Sequence, residues 1–175
     1  MAADRQRGMT LVMALVMTIA VLLIGISAAE LAWQGEKAAR AQRDRQVAFQ
    51  AAEAALDDAE KDIQRAVPDA SRGLLARAQG DAKPVWQVVD LSGAEDGGGG
   101  SVAYGSFTGA AMETGQGFLP FRRPRYIVER MECHAPGEEA GAGASLRYCY
   151  RVTAIGFGAQ PETQVVVQSV FRRPD

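Results

Sequence analysis

The sequence predicts an α+β fold in which one long amino-terminal helix, half membrane-spanning and half amphipathic, packs on a small carboxy-terminal antiparallel β-sheet. Three observations predict it. Met9 to Ala29 is a run of 21 residues without a charge. Ala28 to Ala66 contains no proline and repeats its apolar residues at helical spacing. After Pro124 the chain changes to β-branched and aromatic segments punctuated by glycine and proline.

The first element follows from length. At ~1.5 Å rise per residue the run Met9–Ala29 spans roughly 30 Å as a helix, the depth of a bilayer's hydrocarbon core. In that core every backbone polar group needs an internal partner, so a single segment must be helical. Thr10, Thr18 and Ser27 can return their hydroxyls to backbone carbonyls, and Gly25 is the one weak helix former. Three readings fit the run. A cleaved secretory signal would be shorter and would end in a small-residue cut site. A plain single-pass anchor is the simplest. The third is a signal cut on the cytoplasmic side, between Gly8 and Met9. Arg5 and Arg7 then hold the short leader, residues 1–8, in the cytoplasm, and the remainder lies across the membrane.

The second element, residues 30–66, continues the first. It is rich in strong helix formers, with Gly35 the one breaker. Ala48, Ala52, Ala55, Ala59 and Ile63 recur at steps of three and four, flanked by Phe49 and Leu56, which makes one apolar stripe. Arg43, Gln46, Gln50, Glu53, Asp57, Glu60 and Lys61 form the opposite, solvated side, and Asp58 and Asp62 are read as solvating residues too. Pro68 and Asp69 end the helix. Small alanines allow close approach to a sheet, and the last segment supplies it. Within 124–175, Tyr126–Arg130, Tyr148–Ile155 and Thr163–Phe171 read as strands, with Gly156–Glu162 as a hairpin turn. Residues 67–123 connect helix and sheet. They carry a candidate strand at Val85–Val89 and a flexible tip at Gly97–Gly100. The glycine run lacks the lysine and the strand–helix context of a phosphate loop.

The short basic leader, the glycine and an apolar helix that runs on as an amphipathic one resemble the prepilin superfamily, the type IV pilins and the pseudopilins of type II secretion. The resemblance implies a pilin-like fold. It also implies a prepilin peptidase that cuts after Gly8 and methylates the new amino terminus, Met9. Fibre-body subunits of that superfamily carry a glutamate at the fifth residue after the cut. Here Met13 stands in that place. A buried carboxylate costs several kcal/mol unless paired, so a subunit without one suits a terminal or initiating position better than a repeating one. Arg43–Leu56, the leader segment Arg5–Val12, and the segments Tyr150–Gly156 and Val165–Phe171 further resemble the PilX-type minor pilins.

That resemblance implies a structural and assembly protein: a minor pilin that helps initiate the pilus and sits in a tip complex. Its implied partners are other minor pilins, the major pilin, the prepilin peptidase, the inner-membrane assembly platform and a tip adhesin. It implies an inner-membrane protein with a periplasmic head that later enters the fibre at or near the tip. A minor pseudopilin of type II secretion is the alternative, and a DNA- or surface-binding minor pilin another. In an oxidising compartment the only two cysteines, Cys133 and Cys149, are expected to form a disulfide; metal binding with His134 is the competing reading. Neither a catalytic residue nor a cofactor is expected, because the single histidine has no nucleophile motif beside it. Arg122, Arg123 and Arg125 form a candidate basic contact patch, and Arg172 with Arg173 a second cluster. A net charge of −2 favours a solvated rim that pairs with acids on a neighbouring subunit over nucleic acid, with Glu138 and Glu139 as alternative partners of Arg122 and Arg123.

Overall fold

A computed structural model describes residues 4–93, 100–133 and 147–173. The chain divides into two compact units, residues 1–42 and 43–175. The helix α1, Asp4–Arg65, supplies the whole described part of the first unit and opens the second.

In the first unit every described side chain from Met9 to Gln42 is exposed, apolar and polar alike. Two hydroxyls return to the helix backbone: Thr18 Oγ1 donates to the Ala14 carbonyl at 2.8 Å and Ser27 Oγ to that of Leu23 at 2.9 Å. Beyond the apolar run, Lys37 lies over the Trp33 ring and Arg40 pairs with Glu36 one turn earlier.

The second unit is the head. Its sheet has the order β1-β3-β4-β5, with β1 Leu74–Leu75, β3 Arg125–Cys133, β4 Arg147–Phe157 and β5 Gln164–Phe171; β2, Val102–Ala103, also pairs with β3. The β3–β4 and β4–β5 pairs are antiparallel, as the sequence predicts, but β1 runs parallel to β3, so the sheet is mixed. The two-residue β1 is too short to show a period of two. It is set in place by the turn before it, where the Asp69 carboxylate accepts from the Ser71 and Arg72 amides and Gly73 takes a φ of 74°.

Side chains alternate across the sheet. One face meets α1: Tyr126, Val128, Tyr150, Val152 and Ala154 pack on Ala55, Ala59 and Ile63. The predicted stripe is the core, since Ala48, Ala52, Ala55, Ala59 and Ile63 are at most 1% exposed. Gly156 permits the contact; a Cβ there would come within 2.0 Å of the Ala48 carbonyl oxygen and 2.4 Å of the Ala52 nitrogen. The other face is covered as well. Ile127, Ile155 and Phe157 pack beneath Leu75, Trp86, Val89 and Leu91. The covering segment contains α2, Val85–Val88, a single helical turn where the sequence suggested a strand. The reason is local. Pro84 sets the entry with φ −52°, and the Gln87 and Val89 amides return to the Pro84 and Val85 carbonyls. Four apolar residues around Gln87 make a run too short to distinguish strand from helix by period alone.

Candidate functional site

The amino-terminal candidates all lie on α1. Gly8, Met9 and Met13 lie in its first three turns, and the Met9 and Met13 side chains are exposed.

In the head, two carboxylates that the sequence reading assigned to solvent are inside. Asp58 and Asp62 are only 2% and 3% exposed. Asp58 accepts from the Gly105 amide at 2.8 Å and from the Thr108 hydroxyl. Asp62 pairs with Arg72, whose guanidinium also stacks 4.6 Å from the Phe107 ring. Arg65 adds a bond to the Thr108 carbonyl at 3.4 Å. Together they fasten the 104–108 loop to the last turns of α1. The signal was present: Ala55, Asp58, Ala59, Asp62 and Ile63 follow the i, i+3, i+4, i+7 rule, which puts both acids in the stripe. Residue type outweighed phase in the sequence reading. Burial raises the Asp62 pKa above its ordinary value, and Arg72 works against that rise. The Tyr126 hydroxyl is buried beside them without a hydrogen-bond partner among the described residues. Its pKa is driven upward, first by burial and then by the negative charges of Asp62 and Asp58.

At the other end of the head, where α1 enters it, Asp44 takes the amides of Ala159 and Gln160 in the β4–β5 turn. A Cβ on Gly158 would come within 2.6 Å of that carboxylate. On the face away from α1, Arg151 grips Glu129 with two bonds of 2.9 Å across the β4–β3 ladder. Glu129 is fully buried, so this bidentate pair satisfies a charge that would otherwise be costly.

Cys133 and Cys149 form a disulfide with Cα atoms 5.8 Å apart, tying β3 to β4 where the two strands part. His134, Gly97–Gly99, Glu138 and Glu139 lie outside the described residues. Among the described residues no three His, Cys, Asp or Glu side chains gather as a metal site would require.

The three candidate arginines do not share one surface role. Arg125 turns into the head, donating to Ser101 Oγ at 2.8 Å and to the Ser101 carbonyl at 2.6 Å. Arg122 stacks on Phe157 with its guanidinium carbon 4.0 Å from the ring centre. Of the three, Arg123 alone is exposed.

These features lie within two family matches. Residues 7–57 match the model described as PilX N-terminal, and residues 71–173 match the one described as type IV pilus assembly protein PilX C-term. No curated protein and no solved structure matches the chain. The first match takes in the uncharged helix with Gly8, Met9 and Met13, the second the sheet and its disulfide, and the chain belongs to the PilX family of type IV pilus assembly proteins.

Proposed function

We propose that this chain is a minor pilin that helps initiate type IV pilus assembly and occupies a place at or near the tip. The observation that carries the reading is the helix Met9–Ala29, uncharged throughout, with Met13 where a fibre-body subunit would hold glutamate. In this reading the prepilin peptidase cuts between Gly8 and Met9 and methylates Met9. The helix holds the subunit in the inner membrane, with the head in the periplasm, until the assembly platform extracts it. It then exchanges lipid for the helices of other minor pilins and the major pilin. That exchange changes the hydrophobic environment little, so van der Waals packing decides the partners. Without a carboxylate in the helix, no neighbouring amine has to be buried beside it.

The match to a pilus assembly family supports the pilus over the type II secretion alternative. The placement of Arg122 and Arg125 weighs against a DNA-binding patch, since only Arg123 of that cluster stands free in solvent. A tip adhesin remains the partner of interest for a subunit at the end of the fibre.

Deleting the gene and counting surface pili tests the reading. We expect pili to fall at least tenfold and to return with the wild-type chain but not with Gly8→Val, which blocks the cut. Normal pilus numbers in the deletion strain would overturn it.

A further inference from the structure

The two edges of the head's sheet are unlike. On one side β3 is paired with β1 and β2 from Arg125 to Glu129, and the 104–108 loop is clamped to α1 beside it by Asp58 and Arg65. On the other side, among the described residues, β5 pairs only with β4 and ends the sheet. An eight-residue edge leaves roughly four residues with N–H and C=O groups aimed outward, over about 27 Å. Soluble proteins protect such edges with lysine, proline, a bulge or a covering loop. Thr163–Phe171 has neither a charge nor a proline, and Val166 and Val170 stand 48% and 60% exposed.

The side of α1 next to this edge is also open. Ser169 Oγ of β5 reaches Glu60 at 3.3 Å, which orients the ridge Phe49, Glu53, Leu56, Glu60 toward β5. On that ridge Phe49 is 44% exposed and Glu53 is exposed. The main-chain edge therefore has Phe49 and the negative charge of Glu53 on its α1 side, and Val166 and Val170 on the opposite face of the sheet. We propose that a different pilus subunit joins here, adding an edge strand along β5 and directing basic side chains toward Glu53. The proposal rests on the minor-pilin reading and goes beyond it by naming the surface.

A second copy of this chain is not the occupant. β5 complements itself in one register, antiparallel about Val167, with Glu162 opposite Arg172. The two-fold axis of that pairing is perpendicular to the sheet and turns the partner's α1 end for end. Two chains held in one membrane by their amino-terminal helices cannot meet that way.

The test uses the full chain in cells with its own pilus system. A photoreactive phenylalanine is placed at Val166, or at Phe107 on the capped side, and adducts are read by mass. We expect a Val166 adduct with a different pilin-sized protein and little from Phe107. The variant carrying Val166→Lys and Val170→Lys should be processed and disulfide-bonded normally, yet lower surface pili about tenfold. Adducts at Phe107 but not Val166, an adduct of twice this chain's mass, or normal piliation in the lysine variant would each overturn the proposal. If deletion of the whole chain abolishes pili while these results fail, the surface assignment is wrong and the minor-pilin reading stands. If deletion changes nothing, that reading falls first.

Discussion

The two halves of α1 have nearly the same backbone and opposite chemistry. From Met9 to Ala29 large apolar residues cover the helix on all sides, and none is buried by the protein itself. From Ala48 to Ile63 the buried positions are mostly alanine, confined to one stripe and sealed by the sheet. The first half is written for a surrounding that is not water and not this chain. The second is written for its own β3 and β4. Bulk suits a helix whose neighbours are lipid tails. Small side chains suit one that a sheet must approach closely.

Substitutions break this comparison most sharply where the approach is closest. Gly156→Ala puts a methyl group into the α1 backbone at Ala48 and Ala52. We expect it to cost the head about 3 kcal/mol or more, measured by denaturant unfolding of residues 43–175. Ile19→Arg, at the middle of the apolar run, should cost a comparable ~3 kcal/mol, but in membrane insertion. In the full chain the same substitution should leave the unfolding midpoint of the head unchanged, because Ile19 lies outside the unit 43–175. A shifted midpoint would mean that the two halves are energetically coupled.

Cys149→Ser tests the far end of the head. Closing a loop of this length restricts the unfolded chain by about 3 kcal/mol at most, so we expect a loss of roughly 2–3 kcal/mol under oxidising conditions and none in reductant. The smallest expected effect is at Tyr126. Its hydroxyl is buried without a hydrogen-bond partner among the described residues, so Tyr126→Phe should be neutral or stabilise by up to about 1 kcal/mol. A loss of more than that would show that a partner holds the hydroxyl in solution.

Much of this architecture was legible because it rests on periodicity. The stripe from Ala48 to Ile63 and the long strands β3, β4 and β5 span enough residues for a period to repeat. Asp58 and Asp62 were misplaced although they obey the same period, because carboxylates are so rarely buried unless paired. Their partners, Thr108, Gly105 and Arg72, lie up to 50 residues away in the chain and carry no local signal. The two-residue strands β1 and β2 are too short for any pattern, and Val85–Val89 was ambiguous between strand and helix. The functional candidates divide likewise. The roles of Gly8, Met9 and Met13 come from the prepilin resemblance and stand as proposals. The scattering of Arg122, Arg123 and Arg125 was not legible, because adjacency in sequence says nothing about which side chain finds Phe157 or Ser101.

If α1 is a processed anchor that enters the fibre, its new amino terminus must be found there. The most direct measurement is the amino-terminal peptide mass of this chain recovered from sheared, purified pili. The account predicts a chain that begins at Met9 and carries one added methyl group on its amine. A chain that still begins at Met1, or one absent from the pili and found only in the membrane with residues 1–8 intact, would contradict it.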